Sequence, residues 1–231
     1  MLPLVLLPAM LCDAELYRAQ AVALADLAGP LNLPASGLTL AESAEAVLRQ
    51  APLRFALAGT SAGGNLALEI VARAPARVAG LWLMGANPGV SADPNGSRRM
   101  NERVRAGAFA AVVDALAARA IYASGPHGPE ATETFRRMAL RAGPEVFLRD
   151  NAALIAREDR WGALGLLAVP TLLLWGRQDQ ITNVERAHEI AARLPSAQLV
   201  VLDDCGHLPT LEQPDACVRA ARDWLGQCSG D

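Results

Sequence analysis

No lysine occurs in this chain; all 21 cationic side chains are arginine. That absence removes chemistries that need a primary amine, Schiff-base formation and the phosphate-binding loop lysine among them. An excess of positive charge is missing as well. With 24 acidic residues the net charge is −3, which offers no basic surface to nucleic acid or an anionic membrane. No apolar run approaches the ~20 residues that span a bilayer. Cysteine is sparse: Cys12, Cys205, Cys217 and Cys228 form no CxxC pair and have no histidine at zinc-ligand spacing. They read as reduced thiols of a cytoplasmic protein, and nothing in the sequence calls for a metal or cofactor.

The chain opens on an apolar stretch, "LVLLPAMLC", with no basic residue before Arg18. A secretory signal needs a charged segment ahead of its apolar one, so the stretch reads instead as a strand buried on both faces and stopped by Pro8. The same kind of run recurs, giving expected strands at Leu2–Leu7, Pro30–Leu33, Leu53–Ala58, Val78–Met84, Thr171–Trp175 and Gln198–Leu202. Helical pattern lies between them, at Asp13–Leu27, Leu40–Gln50, Ala62–Ala74, Asn183–Leu194 and Gln213–Leu225. This alternation predicts an α/β fold: a mostly parallel sheet of about six strands flanked by helices, in one domain over residues 1–231.

Residues from about 87 to 167 break the alternation. Helical pattern there is interrupted by "NPGVSADPNG", "ASGPHGPE" and "RAGPE", so the segment is expected to be a helical cap over the carboxyl ends of the strands. Phe109, Val113, Leu116, Met138, Phe147, Leu148 and Ile155 are its candidate pocket or packing residues. Arg98 and Arg99 could pair with a substrate carboxylate; the interleaved Glu102 makes a solvated helix face the simpler reading.

The most informative segment is "LRFALAGTSAGGNLALEI". A buried strand runs into Gly59-Thr60-Ser61-Ala62-Gly63 and then directly into a helix, the context a G-x-S-x-G nucleophile elbow requires. A dinucleotide-binding turn would have glycine where Ser61 stands, and a merely glycine-rich turn is the plain alternative. A nucleophilic serine needs a base. Of three histidines, His127 sits in a turn of the cap and His188 inside a helix, at the border of its buried face. His207, in "LVVLDDCGHLPTLEQP", follows the last strand and so emerges at the same sheet edge as Ser61. Asp179, in "PTLLLWGRQDQIT", follows the preceding strand and is the carboxylate placed to orient that imidazole. Asp203 and Asp204 lie on the histidine's own loop, and Asp159 lies in the cap.

The order Ser61, Asp179, His207, with each residue behind a strand, resembles the α/β-hydrolase family over nearly the whole chain. The resemblance implies the α/β-hydrolase fold, an acyl-enzyme on Ser61, and an oxyanion hole formed by the backbone N–H groups of Ala62 and Met10. It also implies cleavage of a carboxylic ester, thioesters included, of small to moderate size, with no metal or cofactor. The alternatives are C–C bond hydrolysis or cofactor-free perhydrolysis on the same triad, or a non-catalytic binding protein. The chain departs from the family in starting directly at the first parallel strand and in having Pro8-Ala9 where a His-Gly pair is usual. The Met10 donor therefore requires the backbone to turn there without glycine. The elbow "GTSAGGNLA" is locally similar to the hormone-sensitive-lipase branch, whose HGGG run is missing.

Overall fold

The computed structural model describes residues 1–194 and 196–228, so the last three residues of the expected 1–231 domain lie outside it. Six strands form one parallel sheet: β1 (Leu2–Leu7), β2 (Ala28–Asn32), β3 (Phe55–Thr60), β4 (Val78–Met84), β5 (Thr171–Gly176) and β6 (Ala197–Leu202), in the order β2-β1-β3-β4-β5-β6. Between the strands run α1 (Arg18–Ala23), α2 (Leu40–Gln50), α3 (Ala62–Arg73) and α8 (Val184–Ala191). The short α9 (Pro209–Glu212) and then α10 (Pro214–Cys228) follow the last strand.

The central strands β1, β3, β4 and β5 are almost wholly apolar and buried because helices cover both faces, whereas the edge strands β2 and β6 are only partly buried. Successive side chains alternate between two clusters. Leu4 and Leu6 of β1, Trp82 and Met84 of β4, and Leu172 and Leu174 of β5 face one. Val5 and Leu7, Leu81 and Leu83, and Leu173 and Trp175 face the other. On the first side α10 closes the core, with Trp224 set against Trp82 at 6.1 Å between ring centroids.

Strand order reverses direction at β1 and β3, the point where open parallel sheets leave a crevice at their carboxyl ends. Leu7 pairs with Gly59, so the turns that follow these two strands stand side by side. Gly63 is what permits the approach: a Cβ there would collide with the carbonyl of Leu7.

Between β4 and β5 the chain is helical: α4 (Pro94–Arg105), α5 (Phe109–Ala120), α6 (Gly128–Ile155) and the single turn α7 (Trp161–Leu164). Helix α6 is kinked in the middle, where Gly143 takes φ +85° directly before Pro144. The segment's exit is held to α3 by Arg160, which donates to both oxygens of the buried Glu69 at 2.6 and 3.0 Å. Burial works against the charge on Glu69, yet Arg160 and Arg73 outweigh it and hold the carboxyl below its usual range.

The expected helix at Asp13–Leu27 is shorter in the structure: a 3₁₀ turn over Ala14–Tyr17, capped by Asp13, followed by α1. Strand β2 begins at Ala28 rather than Pro30, because Ala28 pairs with Leu2; Pro30 is tolerated because β2 is an edge strand. Truncating Trp82 to alanine should cost about 3–5 kcal/mol, the usual range for deleting a buried tryptophan. The shift of the urea unfolding midpoint measures it.

Candidate active site

Ser61 stands directly before α3 with φ +54° and ψ −114°, a strained conformation for a residue with a side chain. Two hydrogen bonds hold it there, and two more brace the residue before it. The Ser61 N–H donates to Met84 O at the end of β4 (2.7 Å), and its carbonyl accepts from Asn65 N (2.9 Å). Under the preceding residue, Tyr17 Oη meets Thr60 Oγ1 at 2.7 Å and donates to Leu7 O at 3.0 Å, tying the elbow to the end of β1.

The turn after β1 closes with Cys12 N donating to Ala9 O at 3.0 Å, and Leu11 takes φ +64°. A positive φ at the third residue of a four-residue turn is type II geometry. The backbone thus turns at Leu11, and Pro8-Ala9 needs no glycine. Met10 and Ala62 border the same cavity as Ser61. Ala62 is the first residue of α3, so its N–H has no carbonyl one turn back to bond.

Asp179 and His207 stand on adjacent loops behind β5 and β6. The loops are stitched together by Gln178 N to Cys205 O (2.9 Å) and Cys205 N to Gln178 Oε1 (3.0 Å). Asp179 Oδ2 lies 2.7 Å from His207 Nδ1, with both side chains buried. The other carboxylate oxygen accepts from Ile181 N (2.8 Å) and Thr182 N (2.9 Å), which fixes its orientation. With Nδ1–H committed to the carboxylate, Nε2 carries the lone pair. That atom is buried, has no hydrogen-bond partner among the described residues, and belongs to a histidine lining the cavity with Ser61. A hydroxyl and a basic nitrogen therefore share one cleft of about 590 Å³.

The other sequence candidates lie elsewhere. His127 is half exposed beside Glu130, and His188 is exposed, farther from its helix's buried face than its position suggested. Asp203 pairs with Arg177, Asp159 caps Trp161 N, and Asp204 is exposed with φ +52°. The four thiols are free, and burial pushes those of Cys12, Cys205 and Cys217 well above their ordinary range, so none offers a thiolate at neutral pH. Of the seven apolar residues singled out between β4 and β5, Leu116 alone borders the cavity. Val113, Met138 and Phe147 are buried in the core, Phe109 and Leu148 pack against it, and Ile155 lines a separate groove with Arg98.

Two positions carry no signal of their own in the sequence. Gly85 follows β4 with φ +57°, and the His207 ring rests on it: a Cβ there would stand 2.5 Å from Cε1 and 2.8 Å from Nδ1. Glu212, buried in α9, accepts from the N–H groups of Gly206 (2.7 Å) and Leu208 (2.9 Å), on either side of His207, and from Tyr122 N just past α5 (2.8 Å). His207 N itself donates to Ala120 O at 2.6 Å, so the histidine loop is fastened to the helices above it. Burial pushes the Glu212 carboxyl up, against the lowering effect of its three N–H donors and the nearby His207.

Known proteins share this fold. The model of the alpha/beta hydrolase family matches residues 7–220. A pimeloyl-[acyl-carrier protein] methyl ester esterase of Aromatoleum aromaticum is 31% identical over 214 residues, covering 83% of this chain and 82% of the relative. A thermophilic esterase from Thermogutta terrifontis superposes with a TM-score of 0.88 at 27% identity, over 99% of this chain and 90% of that one. An enol-lactonase from Burkholderia xenovorans shares the fold, with a TM-score of 0.86 at 20% identity over 98% of this chain and 92% of its own.

Gly85→Ala should push the imidazole off its seat and break the 2.7 Å contact with Asp179. The check is the far-downfield proton resonance of the His207 Nδ1–H. It should disappear or move in the variant while the far-ultraviolet circular dichroism stays that of the parent.

Proposed function

The chain belongs to the alpha/beta hydrolase family, and from that membership we propose that it hydrolyses carboxylic esters, thioesters included, of small to moderate size through an acyl-enzyme on Ser61. The observation that carries the reading is the buried Asp179–His207 hydrogen bond, which leaves Nε2 bare in the cleft that holds Ser61. In this mechanism His207 Nε2 takes the Ser61 proton as Oγ adds to the ester carbonyl, and Asp179 stabilises the imidazolium that forms. The N–H groups of Met10 and Ala62 receive the oxyanion; each such donor is worth on the order of 10²–10³ in rate. Collapse of the adduct expels the alcohol, which leaves with the proton from Nε2. A water activated by the same nitrogen then releases the acid and restores Ser61.

Residues from about 87 to 167 act as the cap of a single hydrolase domain, since the cleft is walled on one side by their side chains and on the other by the turns after β1 and β3. The ester assignment agrees with the 31%-identical relative and the 27%-identical structure, both of which are esterases. Four free thiols fit a reducing cytoplasm. No helix among the described residues is long and apolar enough to cross a membrane.

Hydrolysis of p-nitrophenyl esters of rising acyl length, followed with purified protein, tests the reading. Ser61→Ala should abolish turnover. Asp179→Asn, which reverses the tautomer that the carboxylate selects, should lower kcat by about 10⁴. Full activity of either variant would remove the triad from the mechanism.

A further inference from the structure

The walls of the cleft carry a charge imbalance that the chain as a whole does not. The protein is net negative, yet Arg99, Arg103, Arg119 and Arg157 border the cavity against a single acid, Asp93. Asp93 is already engaged at the start of α4, where it accepts from Gly96 N at 2.7 Å and stands 3.9 Å from Arg99. Arg103 has no hydrogen-bond or ion-pair partner for its side chain among the described residues, and Arg119 donates to the carbonyl of Gln180.

Arg157 is the informative member. It is half-buried just past the end of α6, and its guanidinium is held by three backbone carbonyls: Gly89 O by Nε (2.9 Å), Leu154 O by Nη1 (2.8 Å) and Val90 O by Nη2 (3.1 Å). Those bonds fix the plane of the group and leave one N–H on each terminal nitrogen, the fork that suits a two-oxygen anion. They do not neutralise it. The nearby carboxylates Glu69 and Glu158 are both taken by Arg160, and no acid pairs with Arg157 among the described residues. Burial accordingly pulls its pKa below the usual arginine value. A partly desolvated cation without a counterion costs free energy unless an anion meets it.

We infer that the cleft selects esters bearing a second, anionic group, a carboxylate or a phosphate, that binds Arg157, with Arg103 and Arg119 raising the local concentration of such substrates. The inference rests on the ester-hydrolase reading and names the substrate class of that site. Apolar side chains of the same cleft, Met100, Leu116, Phe135 and Leu154, suit an aliphatic spacer between the ester and the anion. Arg98, on the same helix as Arg99, does not border the cleft; it faces solvent and donates to Asn95.

The test compares monomethyl esters of straight-chain dicarboxylic acids with the dimethyl esters of the same acids, and adds methyl esters of phosphate-terminated acids of matching length. The readout is the ratio of kcat/KM, anionic over neutral, within each protein. Wild type should favour an anionic ester at one spacer length, and the carboxylate and phosphate arms then tell which anion the fork prefers. Arg157→Met should lower the ratio by about tenfold, the effect of losing one charge-assisted contact. Arg157→Lys restores the charge without the planar fork and should recover part of it.

Raising ionic strength should depress the anionic reaction of the wild type and spare the neutral one. This comparison and Arg103→Gln remain informative if the Arg157 variants fail to fold. Arg98→Ala should leave the ratio unchanged. Neutral esters turned over as well as anionic ones at every length, with no salt effect, would overturn the inference and leave the ester hydrolase standing. Failure to turn over any ester would remove both.

Discussion

The hydrogen bond between Asp179 and His207 is the constraint around which the rest of the site is arranged. It joins two loops that are 28 residues apart in sequence and brought together only because β5 and β6 pair in parallel register, from Thr171 with Ala197 to Gly176 with Leu202. A buried carboxylate with unfilled acceptors would be costly. Asp179 avoids this by accepting two backbone N–H groups on one oxygen and the imidazole on the other. Each partner thereby fixes the other, and the consequence is a nitrogen, Nε2, that has no hydrogen-bond partner among the described residues and faces what enters the cleft.

Holding the imidazole there takes more than its carboxylate. Gly85 gives the ring a floor with no side chain, and Glu212 grips the backbone on both sides of His207 while reaching the end of α5 through Tyr122. The helices between β4 and β5 are consequently mechanical neighbours of the histidine as well as walls of the cleft. Their opposite end is tied to α3, the helix that follows Ser61, through Arg160 and Glu69. Ser61 and His207 are thus each braced from the helices between β4 and β5 by buried polar contacts, Ser61 through α3 and His207 through Glu212.

Much of this was legible in the sequence, and the limits have physical causes. Strands at Leu2–Leu7 and Val78–Met84 could be bounded to the residue because apolar runs end sharply, at Pro8 and at Gly85. The strand–turn–helix around Ser61, and the positions of Asp179 and His207 behind successive strands, follow from the alternation of strands and helices. What stayed hidden depends on partners distant in the chain. Gly85 looks like any loop glycine until His207, 122 residues later, is placed on it. Glu212 reads as a helix acid until three backbone N–H groups surround it. The turn after β1 misled in a different way: the missing glycine drew attention to Ala9, whereas Leu11 supplies the positive φ. Patterning also identified which residues between β4 and β5 are apolar without saying which way they face, so six of the seven singled out turned to the core or the outer surface.

In the proposed mechanism Ser61 is a nucleophile because His207, held by Asp179, removes its proton. Peptide mapping by mass spectrometry after treatment with a fluorophosphonate probe tests this most directly. One adduct is expected, on the peptide carrying Ser61, formed in the folded wild type and lost in His207→Gln. An adduct on another residue, or labelling of Ser61 that survives loss of the imidazole, would contradict it.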